Sequence, residues 1–228
     1  MVSMIKNFFK PFSVEKSSLE DLVSKYLVQT HLQETEKIAQ KEKLANLIFD
    51  SFYKPFKRYF EYSTKNHTVA EELTQDTMFK IYRSLETYSP DKAQFKTWAW
   101  TIAKNHFRDY LRSTARKEDR ALLINSNSQN LDIDPWDEFQ SLDITTDLLQ
   151  DNELDKLIKK ENSKNIAKAI NLLSEKNREV LVSWIESDLN MDELAKVHQM
   201  SVQQVKNHLF QSKKKLKEIL KESKHENS

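Results

Sequence analysis

Apolar residues recur along most of this chain at three- and four-residue intervals, the spacing of one helix face. Ala70, Leu73, Thr77, Met78, Ile81 and Leu85 fall on one side at 100° per residue and predict a helix from about Val69 to Thr87. A second helix is expected from Phe95 to about Arg116, with Ala99, Ile102, Ala103, His106 and Tyr110 able to face a core. Leu19, Leu22, Val23, Tyr26 and Leu27 form another stripe, fitting a helix that packs on the first domain or meets a regulator. Clusters of β-branched residues are few and no Asn-Gly or Asp-Gly turn occurs, so the chain reads as all-α.

Two capping signatures sharpen the C-terminal third. Asn190 to Glu193 and Ser201 to Gln204 each place a side-chain acceptor three residues before Glu or Gln. They specify a short helix, the turn His198-Gln199-Met200 and a second helix, with Ala195 small at the crossing and Met200, Val205 and Leu209 apolar. This is helix-turn-helix spacing. The turn requires positive φ at Gln199, which costs a non-glycine residue on the order of 1 kcal/mol.

Composition narrows the chemistry. The 228 residues contain no glycine and no cysteine. Glycine-rich phosphate cradles, disulfides, Cys-ligated zinc and thiol nucleophiles are therefore excluded. No apolar run approaches the roughly 18 residues of a membrane span, so no membrane insertion is expected and a cytoplasmic location fits. No His-Glu-x-x-His pairing occurs, which argues against a metal site, a cofactor or an enzyme. His106 and His198 read as packing or turn residues.

The formal charge of +1 hides a strong asymmetry. The stretch from Lys92 to Arg120 carries +5, and Gln204 to Lys224 carries +5 again. Between them, Ala121 to Asp155 has no Lys or Arg and carries −9. That block includes the polar run Asn125 to Asn130 and the helix-breaking Pro135. The expected organisation is an N-terminal helical extension at 1–40, a helical domain at 41–116, an acidic linker at 117–162 and a helix-turn-helix domain at 163–222. The linker reads as a solvated tether holding two basic heads apart, with Trp136 and Phe139 arguing that part of it docks.

Three surfaces carry candidate chemistry. On the first helix, Glu72, Gln75, Asp76, Phe79 and Arg83 lie within an arc of about 100°, placing a phenyl ring among carboxylates, as a protein partner would require. The alternative is that Phe79 tucks under the N-terminal segment. On the second helix, Trp100, Lys104, Asn105, Arg108 and Arg112 are expected outward, with Trp98 in the core. Cations, an amide and an aromatic together suit nucleic acid whose strands are being separated. In the helix-turn-helix, Gln203, Gln204, Lys206, Asn207, Phe210, Gln211 and Lys213 are expected to face the DNA major groove.

Two stretches also resemble a known family. They are Ala70 to Tyr82 with Phe95 to Asn105, and Leu173 to Val180 with the helix-turn-helix. In this order they resemble bacterial RNA polymerase sigma factors of the two-domain, extracytoplasmic-function type. The resemblance implies a sigma region 2-like bundle and a sigma region 4-like helix-turn-helix, and as partners core RNA polymerase (β and β′ subunits), promoter DNA and, as a regulator, an anti-sigma factor. It implies that Glu72, Gln75, Asp76 and Phe79 dock on the β′ clamp coiled coil. Tyr88, Lys92, Lys96, Trp100, Lys104, Asn105, Arg108 and Arg112 would contact the minus-ten element, the Tyr88 to Gln94 loop capturing a flipped base. Ser201, Gln203, Gln204, Lys206, Asn207, Phe210, Gln211 and Lys213 would read the minus-thirty-five element. The acidic linker would thread the polymerase channels. The implied function is promoter recognition and melting as an alternative sigma factor; the alternative is a helix-turn-helix regulator acting without the polymerase.

Overall fold

Phe52, Phe56, Tyr59 and Phe60 recur at helical spacing on one long helix, and that aromatic row organises the first domain. The computed structural model describes residues 34–124 and 163–225, together with Leu19, Val23, Ser24 and Tyr26. Among the described residues there are seven α-helices and no strand: α1 (Glu34–Thr64), α2 (His67–Ser84), α3 (Phe95–Ile124), α4 (Ser163–Asn171), α5 (Glu175–Ser187), α6 (Met191–His198) and α7 (Val202–His225). A 3₁₀ turn, Leu85–Thr87, follows α2.

α1 lies against α2 and its aromatic row meets α3. Trp100 packs edge-on against Phe56 at 4.9 Å and Tyr59 at 5.5 Å, and Tyr59 meets Phe107 at 6.0 Å. Edge-to-face rings of this kind contribute about 0.5–1.5 kcal/mol beyond the area they bury. Leu19 and Val23 join the buried core and Tyr26 packs against it, so this part of the N-terminal stripe packs inward. Leu22 and Leu27 lie outside the described residues. α2 begins at Asn66, whose extended backbone lets its side chain accept from the Val69 N–H at 3.2 Å. The structure continues α3 to Ile124, eight residues beyond the expected end at Arg116. The acidic stretch from Asp132 to Asp155, with Trp136 and Phe139, lies outside the described residues.

The second domain packs α7 against α4, α5 and α6. Both capping boxes form: Glu193 N–H donates to Asn190 Oδ1 at 2.9 Å, and Asn190 N–H to Glu193 Oε2 at 2.8 Å. Ser201 N–H donates to Gln204 Oε1 at 2.8 Å, and Gln204 N–H to Ser201 Oγ at 3.1 Å. Gln199 adopts φ 56° and ψ 45°, the left-handed conformation the turn demanded, and Met200 N–H closes it on Ala195 O at 3.0 Å.

The expectation that the linker holds the two heads apart is corrected. α5 lies against α1, and α6 against α3. Sandwiched in this way, α5 is buried from Arg178 through Ser187 on every side. A helix buried all round needs partners on all faces, and neither domain alone supplies them.

Candidate polymerase and nucleic-acid interface

α2 turns Ala70, Leu73, Thr74, Thr77 and Ile81 inward. This leaves Glu72, Gln75, Asp76 and Phe79 exposed together, as the periodicity predicted. Phe79 remains 58% exposed, with the Arg83 guanidinium 5.3 Å from its ring centre. No described residue of the N-terminal segment covers it.

The face is braced from behind. Glu71 receives Lys57 Nζ at 2.5 Å, the Tyr53 hydroxyl, and Gln75 Nε2 at 3.3 Å. The lysine and then the tyrosine hold its carboxyl down at about 2. Beside the face, an open cleft of about 330 Å³ runs between α2 and α3, lined by Glu72, Asp76, Lys80, His106 and Asp109 among others. His106 sits at its base, 3.0 Å from Thr77 Oγ1 and 3.9 Å from Asp76. Burial pushes its pKa down, so the ring is neutral and packs, as expected.

The expected minus-ten face divides. Tyr88 is a correction: it is buried, its hydroxyl donates to Ala93 O at 2.9 Å, and its ring meets Phe95 edge-on at 5.2 Å. It therefore pins the loop from beneath, while Lys92 stands exposed above it. Trp100 is a second correction, being only 1% exposed, and the half-buried ring is Trp98, against Tyr88 and Phe95. The two tryptophans exchange the expected roles because α1 lies over the face carrying Trp100.

The cations of α3 do leave the first domain's core, but they point at the second domain. Lys104 is ion-paired with Glu179 of α5, which also accepts the Tyr59 hydroxyl at 2.9 Å. Lys96 lies 3.6 Å from Asp188, Thr97 donates to Glu193 at 3.2 Å, and Arg108 donates to Gln199 Oε1 at 2.7 Å. Arg58 of α1 faces Glu186 at 3.5 Å. Arg112 stays outside this contact, 3.9 Å from Asp109. Burial lowers the Lys104 pKa and raises that of Glu186 to about 7, whereas Lys104 and neighbouring positive charge hold Glu179 down against its own burial. Asn105 Oδ1 is buried with no hydrogen-bond partner among the described residues.

In the helix-turn-helix, α7 buries Val205 and Leu209 and leaves Ser201, Gln203 and Gln204 exposed and Lys206, Asn207, Phe210 and Gln211 part-exposed on the other side. Gln203 Nε2 donates to Asn207 Oδ1 at 3.1 Å, aligning two amides along one face. Lys213 is a correction: it is 3% exposed, and its ammonium lies 5.1 Å from the Trp184 ring centre. Its side chain is buried with the ammonium over the indole, which removes it from the reading face. His198 is buried at the end of α6, 2.6 Å from Ser183 Oγ, and burial drives its pKa down to about 3.

Sequence reasoning did not single out Arg58, Tyr59, Glu179 or Glu186 as contact residues. The available signal was two carboxylates seven residues apart, at one helix face, bracketing the stretch Val180 to Ile185 that is apolar but for Ser183. Among the described residues no cluster of His, Cys, Asp or Glu could hold a metal ion, and no helix is long and apolar enough to cross a membrane.

Residues 48–117 match the family described as Sigma-70 region 2, and residues 163–216 match Sigma-70, region 4. Together these matches span more than half of the chain. The ECF RNA polymerase sigma factor SigM of Bacillus subtilis is 23% identical over 175 residues, 75% of this chain and 92% of that protein. The ECF RNA polymerase sigma factor RpoE of Cereibacter sphaeroides is 29% identical over 82 residues, 36% of this chain and 45% of that protein. A solved sigma factor RpoE from Bartonella quintana, in complex with the anti-sigma factor NepR, shares the fold with a TM-score of 0.53 at 20% identity, covering 82% of this chain and 98% of that one. With both regions present in order, each on its own helical domain, the chain belongs to the sigma-70 family, as an extracytoplasmic-function RNA polymerase sigma factor.

Proposed function

We propose a division of labour for the residues of this alternative sigma factor, which binds core RNA polymerase and directs promoter recognition and melting. The exposed α2 face of Glu72, Gln75, Asp76 and Phe79 docks on the polymerase. Lys92, Lys96, Lys104, Asn105, Arg108 and Arg112, with Trp98 beside them, meet the minus-ten strand. Ser201, Gln203, Gln204, Lys206, Asn207, Phe210 and Gln211 read the minus-thirty-five duplex. The observation that carries this reading is the wet phenyl ring of Phe79 among carboxylates on a braced helix, since a ring left in water at a polar face is a protein contact in waiting. The likeness to a sigma factor solved with NepR supports an anti-sigma protein as a further partner. The protein performs no catalysis of its own and works in the cytoplasm, where its polymerase is.

Pull-down and gel-shift assays on two variants test the assignment. Asp76→Lys abolishes core binding by charge reversal, whereas Lys206→Ala spares core binding and weakens promoter binding. The reverse pattern overturns the division between the domains.

A further inference from the structure

α7 is longer than duplex reading requires. The match to region 4 ends at residue 216, yet the helix runs on to His225. At about 1.5 Å per residue, Gln203 to Lys221 spans roughly 27 Å, whereas a major groove is about 12 Å wide. A straight helix that seats its first turns among base edges therefore carries its last turns out past the groove. Taking Gln203 as 0° at 100° per residue, Asn207, Phe210, Lys214, Lys217 and Lys221 fall at about 40°, 340°, 20°, 320° and 0°. One line of side chains thus changes from amides to cations along the helix. The opposite side is sealed, with Val205, Leu209, Leu216 and Leu220 buried against the rest of the domain. Lys214 and Lys221 are exposed and Lys217 is half-exposed. Glu218 stands beside the line, where Lys215 Nζ meets its Oε2 at 3.2 Å.

We propose that Lys214, Lys217 and Lys221 form a phosphate-binding strip that grips the DNA backbone bordering the minus-thirty-five element. α7 then reads bases with its first turns and holds the duplex with its last. This rests on the reading that the amides of α7 face that duplex. Because amides and lysines share one face of one helix, a duplex that meets Gln203 and Asn207 lies on the lysines' side. An acidic protein seated on the strip would have to share that side with the DNA. Phosphate contacts of this kind carry no sequence information; by releasing counterions they add affinity and salt dependence uniformly over sequences. Ion pairs that such surface lysines make in the free chain stabilise it little, so exchanging them for phosphates costs little. The strip accounts for the part of the positive charge between Gln204 and Lys224 that base reading leaves unused.

Holoenzyme assembled from core polymerase and the full chain tests this on duplex promoter DNA. Lys214→Gln, Lys217→Gln and Lys221→Gln together remove three charges while keeping good helix formers, and a circular dichroism melt checks the fold. The slope of log affinity against log salt falls by about 2–3 in the triple variant, near 0.9 for each lost phosphate contact. The wild-type advantage therefore narrows about tenfold or more between about 50 and 200 mM salt. Discrimination between the preferred and a mutated minus-thirty-five element stays within about twofold, as phosphate contacts require. The absence of native cysteine allows a single iron chelate at Glu222→Cys, exposed beside the strip, to cut nearby DNA by hydroxyl radicals. The cuts fall just outside the element. Uncharged methylphosphonate linkages at those positions weaken binding by the wild type and leave the triple variant unchanged. An unchanged salt slope in a folded variant, no cutting, or equal loss by both proteins on the uncharged linkages overturns the proposal. Transcription lost with DNA affinity and slope intact assigns the strip to an acidic protein surface and overturns it as well. A wild-type holoenzyme indifferent to the minus-thirty-five sequence overturns the reading of α7 itself, and is told apart because discrimination rather than slope is what fails.

Discussion

Replacing Phe79 by Ala isolates the polymerase-docking claim, because the ring is 58% exposed and contributes little to the unbound fold. A phenylalanine offers roughly 200 Å² of side-chain surface, so about 120 Å² is left in water for a partner to cover. At about 25 cal/mol per Å² this is about 3 kcal/mol of binding, or on the order of a hundredfold in Kd. The Arg83 guanidinium over the ring keeps the exposed face oriented. Stability of the free chain shifts by no more than about 1 kcal/mol, since the exchange for Ala loses only the covered part of the ring and its Arg83 contact and gains slightly in propensity. The assay is an equilibrium titration of fluorescently labelled chain with core polymerase, with a thermal melt by circular dichroism as the folding check. Phe79→Leu retains part of the area and falls between the two. Affinity within about threefold of wild type, in a variant with an unchanged melt, refutes the assignment of this face.

Three further outcomes follow from particular residues. Gln199→Gly stabilises the chain by about 1 kcal/mol, because Gln199 stands at φ 56° where only glycine avoids a Cβ clash; a chemical-denaturation midpoint that does not rise contradicts the strained turn. His198 has its pKa lowered to about 3 by burial, so the unfolded chain binds its proton first, and this contribution to stability is lost as pH falls from 6.5 towards 3. Glu186 runs the other way: raised to about 7, chiefly by burial and against Arg58, it contributes stability below about 4.5 that is lost as pH rises to 7. The two oppose each other between about pH 4.5 and 6.5, and below that window the His198 loss is joined by those of Glu71 and Glu179, whose carboxyls are held down, so urea midpoints fall steeply below about pH 4.5; a flat profile there is inconsistent with a buried neutral imidazole. Glu186→Gln removes the neutral-pH penalty and raises stability above pH 7 by about 1–3 kcal/mol, with a lowered midpoint counting against it.

What the chain reveals locally was readable from its letters, and what depends on pairing distant segments was not. The capping boxes at Asn190 and Ser201 and the left-handed turn at Gln199 are set within four residues, and each formed as the sequence specified. The wet side of α2 followed from a single periodicity because only one of its faces is packed. α3 defeated the same reasoning: α1 covers one face and α6 another, so a wheel with one buried side misplaced Trp100. Tyr88 was misplaced because a loop aromatic can turn inward as easily as out, and its bond to Ala93 is invisible to spacing. Lys213 was misplaced by its charge, since its stem packs while the ammonium finds an indole. The contacts of Tyr59, Arg58 and Lys104 span 75 to 128 residues of sequence, beyond any periodic signal.

The central claim is that the two domains together direct a polymerase to a start site, and run-off transcription with purified core polymerase tests it most directly. On templates varied independently at the minus-ten and minus-thirty-five elements, the account predicts transcripts of one defined length only when the chain is added. Changes in the upstream element should be felt through Lys206 and Asn207, and changes in the downstream element through Lys104 and Arg108. Core polymerase giving the same transcripts with and without the chain would contradict it.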